Sequence, residues 1–204
     1  MTRRSYPKGL AKREEILATA LEVIAERGFS GATLRELADA SNLSITGLVH
    51  HFGTKEQLFT EVLGRRDEID ADAYETDRFP ETADEMIERL AGVVDRNAAV
   101  PGLVTLHSNL SADATAPEHP AHEYFRERYA RSRDLGRDSL SHLQELGELP
   151  AGMDPGDLAE LMIAAVDGLQ LLWQYDKSTD MARSLSALGT LLKLANKAGH
   201  SPDD

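Results

Sequence analysis

Wherever this chain carries a sustained pattern, apolar residues recur at intervals of three and four. Nowhere do apolar and polar residues alternate over strand length between hairpin turn signals. That spacing predicts an all-α fold, and caps and breakers divide it. Ile16, Leu17, Ala20, Leu21 and Ile24 share one face of a first helix over about 10–27, and Gly28 is a natural left-handed stop. Thr33-Leu34-Arg35-Glu36 then reads as a capping box, in which hydroxyl and carboxylate would each satisfy an orphan backbone N–H, and it opens a short helix that buries Leu34, Leu37 and Ala38. Asn42, one of the few non-glycine residues that tolerates positive φ, falls where a tight turn is needed. Ser44 can cap a third helix ending near Phe52-Gly53, and Thr54-Lys55-Glu56-Gln57 is a second capping box that starts a fourth helix reaching about residue 77.

Further helices are predicted over about 82–99, with Met86, Leu90, Val93 and Val94 inward, and beyond Pro101, carrying Leu103, Leu106 and Leu110. Residues 111–120, rich in Ala, Pro and Asp, read as a loop before a long charged helix over about 121–146. The last two helices are the most apolar. Leu158, Leu161, Met162, Ala165, Val166, Leu169, Leu172 and Trp173 step along the first of them, and Met181, Leu185, Leu188, Leu192 and Ala195 along the second.

The net charge of −13 argues at first against nucleic acid. Its distribution reverses that argument: residues 1–66 carry ten Lys/Arg against eight Asp/Glu, leaving twelve against twenty-seven in the remainder. Arg3, Arg4, Lys8, Lys12 and Arg13 form an acid-free cluster, as a basic arm would. Absence of cysteine excludes a disulfide framework and a thiolate site, and no signal-peptide or bilayer-length apolar run follows the basic start, so a cytoplasmic protein is expected.

Two short helices joined by a tight turn, the second presenting polar groups, is the geometry that lays a recognition helix in the major groove. Leu48 and Phe52, four apart, must face inward, so Ile45, Thr46, Val49 and His50 look elsewhere. The apolar pair suits thymine methyl groups, and Thr46 with His50 or His51 can hydrogen-bond to base edges or phosphates.

Thr33-Leu34-Arg35-Glu36-Leu37-Ala38, then Asn42-Leu43-Ser44, then Leu48 through Phe59 closely resemble the N-terminal domain of the TetR family of regulators, over roughly residues 8–62. The resemblance implies a three-helix DNA-binding head over 1–53 and an effector-binding and dimerising helical domain over 54–200. It further implies a homodimer on a double-stranded DNA operator, most simply a repressor, released by a small-molecule effector. Carried over position by position, it places Thr33 and Arg35 near the DNA backbone and Ser44, Ile45, Thr46, Gly47 and Val49 on the reading side. His50 and His51 fall at the end of that helix, and Lys55 on a phosphate. Val49 stands where the family usually has tyrosine, and Asn42 replaces a common turn glycine. The last two helices match the family's dimerising bundle, with Leu161, Ala165, Leu169, Leu172, Leu185, Leu188 and Leu192 as interface candidates. Met86, Leu90, His107, Tyr124 and Trp173 are candidates to line an effector pocket, although core packing also accounts for the aromatic ones.

The spacing of His119 and His122 would let two imidazoles meet one ion, with His107 a third candidate. Pro120 interrupts any common helix face, and a helix-start histidine beside Glu118 and Glu123 is the simpler role, so no metal and no cofactor is expected. No phosphate loop, nucleophile elbow or zinc hydrolase helix is present, and an enzyme is not expected. A bundle enzyme using His107, Asp113 or Asp167, and a protein scaffold, are the alternative classes. Salt dependence separates DNA binding from apolar association.

Overall fold

A computed structural model describes residues 6–73 and 78–199, and there the chain is helical, with no strand among the described residues. The helices are α1 (Tyr6–Gly31), α2 (Leu34–Ala40), α3 (Ile45–Phe52), α4 (Lys55–Ala73), α5 (Ala83–Ala98), α6 (Leu103–Asp113), α7 (His122–Glu145), α8 (Pro155–Tyr175) and α9 (Met181–Gly199). They pack as two compact units. Among the described residues, the first comprises those up to Ile69 together with Ala98–Phe125, the second those of Asp70–Asn97 together with those from Arg126 onward.

In the first unit, Ile16, Ala20, Val23 and Ile24 of α1 close over Leu37 and Ala38 of α2, Leu48 and Phe52 of α3, and Leu58, Phe59 and Val62 of α4. At Gly28 the backbone takes φ 73 and ψ 169, so the helix breaks there as its glycine predicts, though with an extended ψ in place of a left-handed turn. Phe29 then meets Phe59 with ring centroids 5.6 Å apart. Sequence spacing gave no sign that α6 belongs to this unit. Leu103, Leu106 and Leu110 form its buried stripe, α6 packs against α1, and helix continues to Asp113, three residues into the predicted loop. Gly102, with φ +77, makes the contact possible: a Cβ there would lie 2.5 Å from the Leu21 carbonyl oxygen.

The second unit is built on Met86, Ile87 and Val94 of α5, Leu140 and Leu143 of α7, Leu158, Ala159 and Met162 of α8, and Met181, Leu185 and Leu192 of α9. Asp154 caps α8 through the N–H groups of Gly156 and Asp157, with Pro155 in the first turn. The Tyr129 hydroxyl donates to Asp167 at 2.7 Å, tying α7 to α8, and Lys193 pairs with Asp84 at 2.7 Å, tying α9 to α5.

The two C-terminal helices carry a second apolar stripe that the chain leaves exposed. Leu161, Ala164, Gly168, Leu171, Leu172 and Tyr175 follow one outward line on α8, and Ala187, Leu191, Leu194 and Ala198 another on α9. Among the interface candidates, Leu161 (64% exposed) and Leu172 (58%) lie on that face, while Ala165, Leu169 and Leu188 are half-buried at its edge. Leu185 and Leu192 turn the other way and are closed inside the unit, at 0% and 4% exposure. The reason is helical phase. The predicted α9 series 181, 185, 188, 192 is the inward stripe, and the outward one lies about a third of a turn away.

Candidate nucleic-acid interface

The helix-turn-helix segment is held by local backbone chemistry. Thr33 Oγ1 accepts the Glu36 N–H at 3.2 Å and caps α2. The other half of the predicted box is not used: the Thr33 N–H donates to the Gly31 carbonyl at 2.9 Å, which leaves the Glu36 carboxylate free of that task. Asn42 adopts φ 59, the left-handed conformation its position predicts, and Leu43 N–H returns to the Ala38 carbonyl at 2.9 Å, closing the turn. Ser44 Oγ accepts from Gly47 N–H at 3.0 Å and caps α3. The second capping box forms in full. Thr54 N–H donates to Gln57 Oε1 at 2.9 Å and Gln57 N–H to Thr54 Oγ1 at 3.1 Å.

Burying Leu48 and Phe52 fixes the roll of α3, and the remaining side chains follow. Thr46 and His50 are exposed, Ile45 and Val49 keep about two-fifths of their surface open, and His51 is half-buried. An exposed isoleucine and valine one turn apart on a polar helix face cost hydration in the free protein, a cost that contact with apolar base edges would remove. Gly47 has its own local reason. A Cβ there would press to 3.2 Å on the Ser44 hydroxyl that caps the helix.

Thr33 and Arg35, at the start of α2, and Ser44, at the cap of α3, are exposed. Lys55, in the first turn of α4, holds its ammonium 5.2 Å from the Phe29 ring centroid and 5.5 Å from that of Phe59. Aromatic faces attract a cation without neutralising it, so the charge is placed while its N–H donors stay available to an anion. The basic arm is partly redrawn. Arg3 and Arg4 lie outside the described residues. Lys12 and Arg13 are engaged inside the head: Lys12 Nζ donates to the Ser41 carbonyl at 3.0 Å, and Arg13 bridges α1, α3 and α4.

The other candidates fall apart by unit. His107 and Tyr124 belong to the first, where the His107 and Phe125 rings meet edge-on at 5.8 Å and the Tyr124 hydroxyl donates to Asp67 at 3.3 Å. Met86 and Leu90 belong to the second, as does Trp173, with the Lys177 ammonium stacked over its ring at 3.1 Å. Slight desolvation lowers the Lys177 amine from its ordinary value. His119 Nδ1 accepts the Ala121 N–H, and His122 Nδ1 lies 2.8 Å from the Ala114 carbonyl, so both imidazoles brace the turn before α7.

A short capped helix, a tight turn and a second short helix with an open reading face together define a helix-turn-helix regulator. Residues 16–62 match the family model of bacterial regulatory proteins of the TetR family, and residues 86–194 match that of the C-terminal part of BetI-type transcriptional repressors. The transcriptional repressor KstR2 of Mycolicibacterium smegmatis is 35% identical over 83 residues, 41% of this chain and 40% of that protein. KstR2 of Rhodococcus jostii is 30% identical over 152 residues, 71% of this chain and 67% of the relative. The first relatives are thus matched over about two-fifths of their own length. A TetR-family regulator from Rhodococcus sp. of known crystal structure superposes with a TM-score of 0.75 at 24% identity, covering 90% of this chain and 99% of that one. The chain belongs to the TetR family of bacterial transcriptional regulators.

Proposed function

We propose that this protein is a homodimeric repressor that reads a palindromic DNA operator with α3 and releases it when a small molecule binds the C-terminal part. The observation that carries the reading is the outward face of α3. Ile45, Thr46, Val49 and His50 stand open on a helix whose opposite face is locked by Leu48 and Phe52, and the Lys55 cation opens the next helix. In this reading Thr46 and His50 contact base edges, Ile45 and Val49 pack on thymine methyl groups, and Thr33, Arg35, Ser44, His51 and Lys55 hold the backbone. Functionally the head ends near residue 53 and effector binding and dimerisation occupy 54–200.

Dimerisation takes place through the uncovered stripes of α8 and α9, since a twofold axis lets one apolar face cover its own copy. Met86, Leu90, His107, Tyr124 and Trp173 remain the residues to test for effector binding. The effector must favour a spacing of heads that no longer fits both half-sites, and must bind the two states unequally to do so. The negative C-terminal charge keeps other faces off DNA in the cytoplasm. The test is fluorescence anisotropy against a pool of duplex DNA at two salt concentrations, with sequencing of the retained fraction. Recovery of a palindromic, salt-sensitive site is expected, and an absence of binding at low salt would overturn the reading.

A further inference from the structure

We infer that Arg13 and Glu61 form a positioning pair that seats the recognition helix, so that Arg13 governs operator affinity without touching DNA. The inference rests on the DNA-binding reading above and deepens it. By sequence Arg13 closes the basic cluster of the arm and looks like a phosphate contact. Its surroundings assign it elsewhere. The Arg13 guanidinium donates through Nη1 to the His51 carbonyl at 2.8 Å, through Nε to Glu61 Oε2 at 2.8 Å, and through Nη2 to Glu61 Oε1. Its Cζ lies over the Phe52 ring, 4.4 Å from the centroid.

Each of these contacts acts on the end of α3. The His51 carbonyl lies in the last turn, where no further helical N–H is available and the helix dipole is negative, so a cation held there satisfies both. Phe52 is one of the two side chains that set the roll of α3, and the guanidinium covers its ring. Glu61, on α4, holds the guanidinium in a fork that only arginine makes with a carboxylate. Three helices, α1, α3 and α4, therefore meet at one ion pair whose members stand 48 positions apart.

Positioning and simple charge make opposite forecasts for Glu61→Gln. Removing a negative charge beside the head strengthens attraction to phosphate if charge alone matters. If the pair seats α3, the same change weakens operator binding. The experiment measures operator and random-duplex affinity across a salt series for the full-length wild type, Glu61→Gln, Arg13→Lys, Arg13→Gln and the Arg13→Gln/Glu61→Gln double variant, each checked for folding by thermal melting. Every single variant should lose about tenfold in operator affinity, the size of one charge-assisted hydrogen bond. Arg13→Lys should fail to rescue despite keeping the charge, random-duplex binding should change less than operator binding, and the double variant should be no worse than either single. The salt slope should stay that of the wild type.

Unchanged or tighter operator binding by Glu61→Gln overturns the proposal. So does a salt slope shallower by about 0.9 in Arg13→Gln, which would make Arg13 a phosphate contact. Amide hydrogen exchange of α3 relative to α2 separates this proposal from the DNA-binding reading. If the wild type binds no duplex, that reading fails, and the exchange data alone decide: faster exchange in α3 of Arg13→Lys and Glu61→Gln supports the seat, and equal exchange overturns it.

Discussion

Leu172 offers the sharpest test of the proposed homodimer. Its side chain sits on the outward stripe of α8 with 58% of its surface uncovered within the subunit. Fully burying a leucine is worth about 1.5–3 kcal/mol, so covering the open fraction amounts to roughly 0.9–1.7 kcal/mol per copy and about 2–3.5 kcal/mol for the two copies of a twofold interface. Leu172→Ala should therefore raise the dimer dissociation constant by up to roughly 30- to 400-fold, an upper bound because association also orders side chains. Leu172→Asp should abolish the dimer, since each carboxylate would have to leave water without a partner. Sedimentation velocity over a dilution series reads this directly. Leu185→Ala is the contrasting control: at 0% exposure it should destabilise the subunit itself by about 2–5 kcal/mol in chemical denaturation. Wild-type sedimentation of Leu172→Asp at every concentration would refute the assignment of this face.

Lys55→Ala should weaken operator and random DNA alike and flatten the log–log salt slope by about 0.9 for one lost phosphate contact, measured by anisotropy titration. Thr46→Ala should instead change the ranking among operator variants, read by competition binding. Gly102→Ala should lower the melting temperature by about 6–12 °C, because a positive φ and a Cβ against the Leu21 carbonyl together cost on the order of 3 kcal/mol, as calorimetry would show. Glu85 is held below its ordinary value of 4.5, first by the Glu81 N–H and then by Arg89. A carboxylate lowered on folding stabilises above its unfolded value and loses that effect as pH falls through its folded one. The stability gap between wild type and Glu85→Gln should therefore hold from neutral pH to about 4.5 and close below it, in denaturation curves at stepped pH.

The short-range parts of this molecule were legible in the sequence because they are encoded within a few residues. Thr54 and Gln57 are three apart and cap one another, Asn42 carries its own tolerance of positive φ, and Leu48 and Phe52 settle which way α3 faces. Helical period named two apolar helices at the C-terminal end but not which stripe each turns inward. Leu185 and Leu191 are equally apolar, and only packing against Met86, Ile87 and the rest of that core hides the first and leaves the second exposed. Likewise α6 reads as one more amphipathic helix, and its attachment to α1 depends on a bare backbone at Gly102.

The sequence by itself determined the helical class, the capped helix-turn-helix and the residues of its open face, since caps, turns and the 3.6-residue period act over one or two turns of chain. Tertiary structure alone decided what Arg13 does. A guanidinium in a basic cluster is free to meet phosphate unless something distant claims it, and Glu61 and the His51 carbonyl, 48 and 38 positions away, become its neighbours only when the helices pack.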